Sequence, residues 1–489
     1  MRDKIKAYEE QAKAIEPDAR QRRTLRDAIV NYTEQFLENI HDLEKIPAFR
    51  VNDTGIDLTK QPIADEPIDL EKAIGLVAKN VDNEGLNPAS GGHFGYIPGG
   101  GIYSSSLGDY WADITNRYAG VFFANSGAVR MENHLINWMK EFIGYPQSAL
   151  GNLASGGSIA NLTAIVAARD AAGIRAENIS RQVIYLSKQA HHCINKAINI
   201  AGLRECQVRH IALDDGFRMD MEALKKAIEA DLKEGLNPWL LVGSAGTTDT
   251  GAVDPLDSMA DIALRHGLWL HVDAAYGGFF MLTEYGKKQF RGIEKSDSVV
   301  MDPHKGLFLP YGIGVVIVRH GSTLRNSFAY EASYMQDTVN LADEVSPADV
   351  SPELTKPFRG LRMWLPLMIH GLKPFRAALD EKLMLTRYLY LQLRKIPRIA
   401  LGPEPELTVI TFRFVPDDGD ACQFNREVAR KIHEDGRVFL STTTIDGIYT
   451  LRFAILAFRA HLESIDLALS ILKEKYEEVA GQAEFSGRH

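Results

Sequence analysis

Residues 296–306 read SDSVVMDPHKG. Ser298 to Met301 form a short run that reads as a strand, and it ends on an aspartate, a proline, a histidine and a lysine. Lys305 therefore stands just past the mouth of a strand. Most lysines are solvated loop residues. The alternative is an amine placed to make a covalent bond, and the rest of the chain chooses between the two.

On either side lie more runs of the same kind: QVIYLS (182–187), QVRHIAL (207–213), WLLVGSA (239–245), LWLHVD (268–273) and GVVIVR (314–319). Amphipathic stretches such as MDMEALKKAIEADLKEG and DPLDSMADIALRHG separate several of them. Several runs are almost continuously apolar instead of alternating, the pattern of strands buried on both faces. The expected fold class is α/β, with a mostly parallel central sheet covered by helices.

The flanking regions differ. In TLRDAIVNYTEQFLENI apolar residues recur at Leu25, Ile29, Tyr32, Phe36, Leu37 and Ile40, one stripe at helical period. This N-terminal segment, residues 1–85, has little core of its own and is expected to pack on something else. Residues 86–375 hold the strand-and-helix alternation. Residues 376–489 contain a long helix, the β-rich stretches ELTVITFRFV and RVFLSTTTIDGIYTLRFAI, and a final helix. They are expected to form a small α+β domain of two or three strands.

Composition narrows the function. Of 489 residues, 45% are apolar and 24% charged, as in an ordinary globular protein. The net charge is −9, and no basic tract or aromatic-basic stripe is present, so nucleic acid is excluded as an expected partner. No run of about 18 apolar residues occurs, so no membrane span is expected. Three cysteines without CxxC spacing point to reduced thiols and a cytoplasmic protein.

In an open α/β sheet, ligands bind at the carboxyl ends of the strands. Four such places carry unusual residues. LASGGSIANLTAI (153–165) is a glycine-rich loop running into a helix, where Gly157, Ser158 and the helix N–H groups suit a phosphate; a plain capped helix start reads the same way. His191 and His192 follow QVIYLS directly, as ring-stacking, turn or metal-ligand histidines, although no further ligand stands at metal spacing. Asp273 closes an apolar strand before two alanines, where a carboxylate needs a cation or a protonated ring nitrogen. Lys305 becomes a nucleophile toward an aldehyde once it loses its proton. Phosphate loop, stacking histidine, ring-nitrogen carboxylate and reactive lysine together describe pyridoxal phosphate, with no metal expected.

These motifs resemble those of the pyridoxal-phosphate-dependent group II amino acid decarboxylases, the aromatic-L-amino-acid decarboxylase family. The likeness covers roughly residues 25–475 and is most specific in GSIANLTAIVAAR, QAHHC, GSAGTTDTGAVDP, HVDAAYGG, DPHKG and LRFAI. It implies the type I fold of pyridoxal-phosphate enzymes and a homodimer whose N-terminal helices wrap the partner. It also implies that the loop around Phe122 and Phe123 reaches the other subunit's site. By resemblance Lys305 bonds the cofactor aldehyde, Asp273 pairs with the ring nitrogen, and His191 stacks on the ring and neighbours the substrate carboxylate. Gly157 and Ser158 hold the phosphate, Thr248 lies near the ring hydroxyl or the substrate carboxylate, Ala275 lies under the ring, and His304 adjoins the lysine. Asp302 is expected in the same site. It departs from the animal enzymes, which usually carry asparagine there; an ionised aspartate cannot donate to phosphate.

SFAYEASYMQD (327–337) reads as a polar-aromatic loop over the site. Tyr334 in it matches the loop tyrosine of the decarboxylases, the general acid that returns a proton to the α-carbon. Related aldehyde synthases resemble one another in carrying phenylalanine there, so tyrosine favours simple decarboxylation. Tyr96, Ile97, Pro98 and Gly99 are expected to line the substrate pocket, with Gly99 in place of a threonine of the catechol-binding enzymes. The expected reaction is decarboxylation of an L-amino acid of tryptophan, phenylalanine or tyrosine type. The alternatives are a branched aliphatic or acidic amino acid, a retro-aldol lyase on the same fold, or a silent scaffold. Arg359 has no assigned role.

Overall fold

The computed structural model describes residues 1–51, 55–330 and 344–486. In chain order the helices that matter here are α1 (Ala19–Asn39), α2 (Tyr103–Thr115), α3 (Ser126–Ile143), α4 (Gly157–Ala171), α5 (His192–Ile200), α6 (Met221–Lys233) and α7 (Leu256–His266). They continue with α8 (Arg359–His370), α9 (Leu372–Leu393), α10 (Ala421–Asp435) and α11 (Leu462–Ser486). The strands are β1 (His93–Phe94), β2 (Leu150–Ala154), β3 (Gln182–Ser187), β4 (Gln207–Ile211), β5 (Asn237–Ser244) and β6 (Trp269–Asp273). After them come β7 (Ser298–Met301), β8 (Gly314–Val318), β9 (Ile399–Leu401), β10 (Val409–Phe414), β11 (Phe439–Ile445) and β12 (Ile448–Ala454).

Seven strands form the large sheet, in the order β2-β8-β7-β6-β5-β3-β4. β8 is antiparallel to both of its neighbours, and the other six run the same way. Alternate residues explain the continuous apolar runs. Val183, Tyr185, Leu241, Val299 and Val315 face a core shared with α3, α6 and α7. Ile184, Leu186, Leu240 and Val242 face α4 and α5, and Val300 and Val316 face α4. In the inner strands β3, β7 and β8 each side chain thus leaves water whichever way it points, and full burial of an apolar side chain there stabilises by about 1.5–3 kcal/mol.

Helix ends follow local chemistry. Asp18 and Gln21 form a capping box at the start of α1, and Asp220 and Asp420 accept backbone N–H bonds at the starts of α6 and α10. Gly144, Gly267 and Gly436 close α3, α7 and α10 in the left-handed conformation.

The small sheet departs from expectation. It has five strands, in the order β9-β10-β12-β11-β1. β1 joins β11 in parallel from far upstream in the chain, inside the stretch assigned by sequence to the large domain. A two-residue strand carries no period to read, and neither does three-residue β9. The boundary drawn at residue 375 falls within α9, whose Phe375 and Leu379 enter the large core while Leu385, Leu389 and Leu393 enter the small one. β2 also went unread, because LGNLA lacks β-branched and aromatic residues.

Candidate active site

The carboxyl ends of β2, β3, β5, β6 and β7 meet around a cavity of about 310 Å³. Lys305, Asp273, His191, Gly157, Ser158, Thr248, Ala275, His304 and Asp302 all line it. Each stands a few residues past a strand or at its last position, so the sheet itself fixes their spacing.

Lys305 lies on the single helical turn Pro303–Gly306 that follows β7. Its Nζ is 3.1 Å from Asp302 Oδ2. Burial works against the ammonium, but the carboxylates of Asp302 and Asp273 more than offset it, and the net direction is upward. Asp273 is the last residue of β6, buried, and accepts a 3.1 Å bond from Ala275 N–H. His304 places Nε2 3.6 Å from Asp302 Oδ2, bonds the Ile313 carbonyl through Nδ1, and meets the Tyr311 ring edge-on. Burial holds its value down, so the ring favours the neutral form.

His191 caps α5, with Nδ1 accepting from Cys193 N–H at 3.3 Å. That bond puts the proton of the neutral ring on Nε2. Burial keeps the imidazole value low, opposed by Asp273. The first turn of α4 begins at Gly157, and a Cβ there would come within 2.8 Å of Asp302 Oδ2 and 3.3 Å of the Ala275 Cβ. Glycine is required by this close approach, and it leaves the helix end open to an anion.

Arg452 of β12 connects the small domain to the cavity. Its Nε donates to the Asp249 carbonyl at 3.0 Å, and its guanidinium also bonds the carbonyls of Thr248 and Tyr96 and the Ser441 hydroxyl. LRFAI stood out in the sequence without a role for its arginine; the structure supplies one, holding the Thr248 loop.

A polar chain under the cavity was missed by sequence reading. Trp269 Nε1 donates to Ser298 Oγ at 2.9 Å, and Ser298 Oγ lies 2.8 Å from His271 Nδ1. His271 Nε2 lies 2.7 Å from Asn161 Oδ1, and Asn161 Nδ2 donates to Cys193 Sγ at 3.4 Å. Burial pushes His271 down to about 4, so it acts as a neutral relay that orients Asn161 and Cys193 in the cavity wall. His271 precedes Asp273 by two residues on one strand, hence on the same face, and that was the available signal.

The structure does not bring every expected residue to the cavity. None of Tyr96, Ile97, Pro98 and Gly99 lines it. Ile97 is buried in the large core, and Tyr96 is 56% exposed with its ring stacked on Phe439. Gly99 does not open space for a substrate: a Cβ there would lie 2.5 Å from the His304 carbonyl and 2.7 Å from that of Lys305. It lets the 99–101 loop pack against the lysine turn. Arg359 is structural, paired through both terminal nitrogens with Glu353 at 2.9 Å and bonded to the Leu153 carbonyl. Tyr334 lies outside the described residues. Among the described residues no cluster of His, Cys, Asp and Glu fit to hold a metal ion occurs.

The donor set fits pyridoxal phosphate. A glycine-lined helix end suits the phosphate, Asp273 suits a protonated ring nitrogen, the flat wall of Ala275 and His191 suits a ring, and Lys305 suits the aldehyde.

A model of the pyridoxal-dependent decarboxylase conserved domain matches residues 57–415. The aromatic-L-amino-acid decarboxylase of Bacillus atrophaeus is 31% identical over 91% of this chain and 94% of its own length. The phenylacetaldehyde synthase of Petunia hybrida is 27% identical over 88% of this chain and 90% of its own length. The crystal structure of Oryza sativa TDC with PLP and tryptamine shares the fold, with a TM-score of 0.88 at 23% identity, over 95% of this chain and 99% of that one.

Proposed function

The chain belongs to the family of pyridoxal-dependent decarboxylases, and on that premise we propose that it converts an aromatic L-amino acid to the amine and carbon dioxide. The observation that carries the reading is the convergence of nine cofactor-type residues from separate strand ends on one cavity. The bound cofactor supplies an electron sink for the pair left on the α-carbon when the carboxylate departs.

The chain's own residues do the rest. Lys305 would be the residue that bonds the aldehyde and anchors the cofactor. Asp273 keeps the ring nitrogen protonated, because a buried carboxylate favours a cationic neighbour. His191, neutral and donating through Nε2, sits where it can orient the carboxylate that leaves. Such orientation perpendicular to the ring selects the bond that breaks. Among the described lining residues the cations are Lys305 and the histidines when protonated, and no arginine stands ready for an acidic side chain. This supports an aromatic substrate, as does the activity named for the Bacillus relative. Tyr334 is proposed as the proton donor to the α-carbon, on the sequence match alone.

The active form is proposed to be a homodimer, supported by a stripe of exposed apolar side chains on α2. Three unpaired cysteines support a reducing, cytoplasmic setting.

The test is a screen of carbon dioxide and amine release over the common L-amino acids with added cofactor. Release from tryptophan, tyrosine or phenylalanine is expected. Release confined to glutamate or an aliphatic substrate sinks the aromatic assignment. In Tyr334→Phe, amine is expected to give way to aldehyde and ammonia with oxygen consumed.

A further inference from the structure

Asp302 is 2% exposed and stands between Lys305 and the first turn of α4. Its Oδ2 faces Lys305 Nζ at 3.1 Å and His304 Nε2 at 3.6 Å, and its Oδ1 has no hydrogen-bond partner. The backbone closes on it from two sides. A Cβ on Gly157 would come within 2.8 Å of Oδ2, and one on Gly314 within 2.7 Å of Oδ1. Lys305 and His304 are the titratable groups on its own turn. Asp273 on β6, and His191 and Cys193 on α5, face the same cavity, whereas α4 and β8 approach the carboxyl with glycine backbone.

An ion pair in this place opposes the chemistry assigned to Lys305. Before Nζ can add to an aldehyde carbon, the ammonium must give up one proton. The neutral amine then forms the carbon–nitrogen bond, and the aldehyde oxygen leaves as water with the two remaining Nζ hydrogens. A carboxylate 3.1 Å from Nζ favours the ammonium and so resists the first step. The same carboxylate lies against the helix end suited to a phosphate, where it repels a second anion. Asparagine would keep the shape, remove the charge and bring an amide hydrogen to donate.

We propose, resting on the reading that Lys305 bonds the cofactor, that Asp302 is a positioning residue that restrains cofactor loading. It holds Lys305 as an ammonium in the cofactor-free chain and guards the anion end of α4.

The experiment compares the cofactor-free protein with Asp302→Asn. Inorganic phosphate is titrated into each by calorimetry, and cofactor loading is followed by absorbance across pH. The proposal expects phosphate to bind about tenfold tighter to the variant and loading at neutral pH to be about tenfold faster, the factor equivalent to one pKa unit. It also expects half-maximal loading at a lower pH than in the parent chain. Asp302→Ser, which removes the charge with a smaller side chain, should change both quantities in the same direction. Equal or weaker phosphate binding with unchanged loading in both variants overturns the proposal. Borohydride treatment of the loaded parent protein separates the two failures. Absence of label on Lys305 overturns the active-site reading and this inference with it, whereas a labelled parent with no acceleration in the variants overturns the inference alone.

Discussion

Arg452 shows how much one buried side chain carries. It comes from the small domain, is 3% exposed, and bonds the carbonyls of Tyr96, Thr248 and Asp249 in stretches far apart in the chain. Arg452→Met would keep much of the volume and leave those acceptors without a donor, and each buried acceptor so stranded costs about 1–3 kcal/mol. The expected loss is on the order of 3 kcal/mol in urea unfolding, with weaker cofactor binding because the Thr248 loop loses its clamp. A variant as stable as the parent would show that water replaces the guanidinium. At this scale the sequence showed Lys305, Asp273 and His191 plainly, since each directly follows or ends a readable strand. It could not show Arg452 gripping Thr248, or His271 orienting Asn161 across 110 positions, because such pairs exist only once the sheets are assembled. Asp302 was visible as an anomaly, and its pairing with Lys305 gives the anomaly a physical content.

The loop between β5 and α7 turns on a buried carboxyl. Asp254 accepts from Met219 N–H through Oδ1 at 2.7 Å and from Ser244 N–H through Oδ2 at 2.8 Å, tying the end of β5 to the start of α6. Burial raises its value to about 6, against those two bonds. An acid held above its unfolded value adds stability that is complete below the unfolded value and is lost as pH rises through the folded one. From pH 5 to pH 8 the advantage of the parent chain over Asp254→Asn should therefore shrink by about 1 kcal/mol. Urea midpoints at the two pH values measure it, and a constant gap would mean that the carboxyl is already ionised in the fold at pH 5. The elements themselves were legible where burial on both faces wrote continuous apolar runs, as in β3 and β7. β1, β2 and β9 were not, since two or three residues, or a Gly-Asn pair, leave no pattern. Their pairing is imposed by the neighbours they complete.

The whole molecule carries an apolar stripe that faces solvent in the single chain. On α2 the residues Tyr103, Leu107, Tyr110, Trp111 and Ile114 follow helical spacing and point to solvent, with Trp111 56% and Ile114 69% exposed. The opposite face is made of Ser104, Ser105, Gly108 and Ala112, and a Cβ on Gly108 would lie 2.7 Å from the Leu361 carbonyl of α8. The helix is thus inverted, small residues inward and large ones outward, and α1 likewise buries no residue while exposing Leu25, Ile29 and Val30. Exposed stripes of this kind mark association surfaces. The N-terminal stripe was readable from the sequence; the inversion of α2 was not, because its sequence alone does not say which face meets α8. If α2 packs on a second copy, Trp111→Glu together with Ile114→Glu removes two large anchors. Each is worth about 1.5–3 kcal/mol of burial and each is lost from both copies, so the dimer dissociation constant should rise by roughly ten-thousandfold or more. Sedimentation equilibrium of the parent and the double variant measures this. A parent chain that sediments as a monomer, or a double variant that still sediments as a dimer, would place the interface elsewhere.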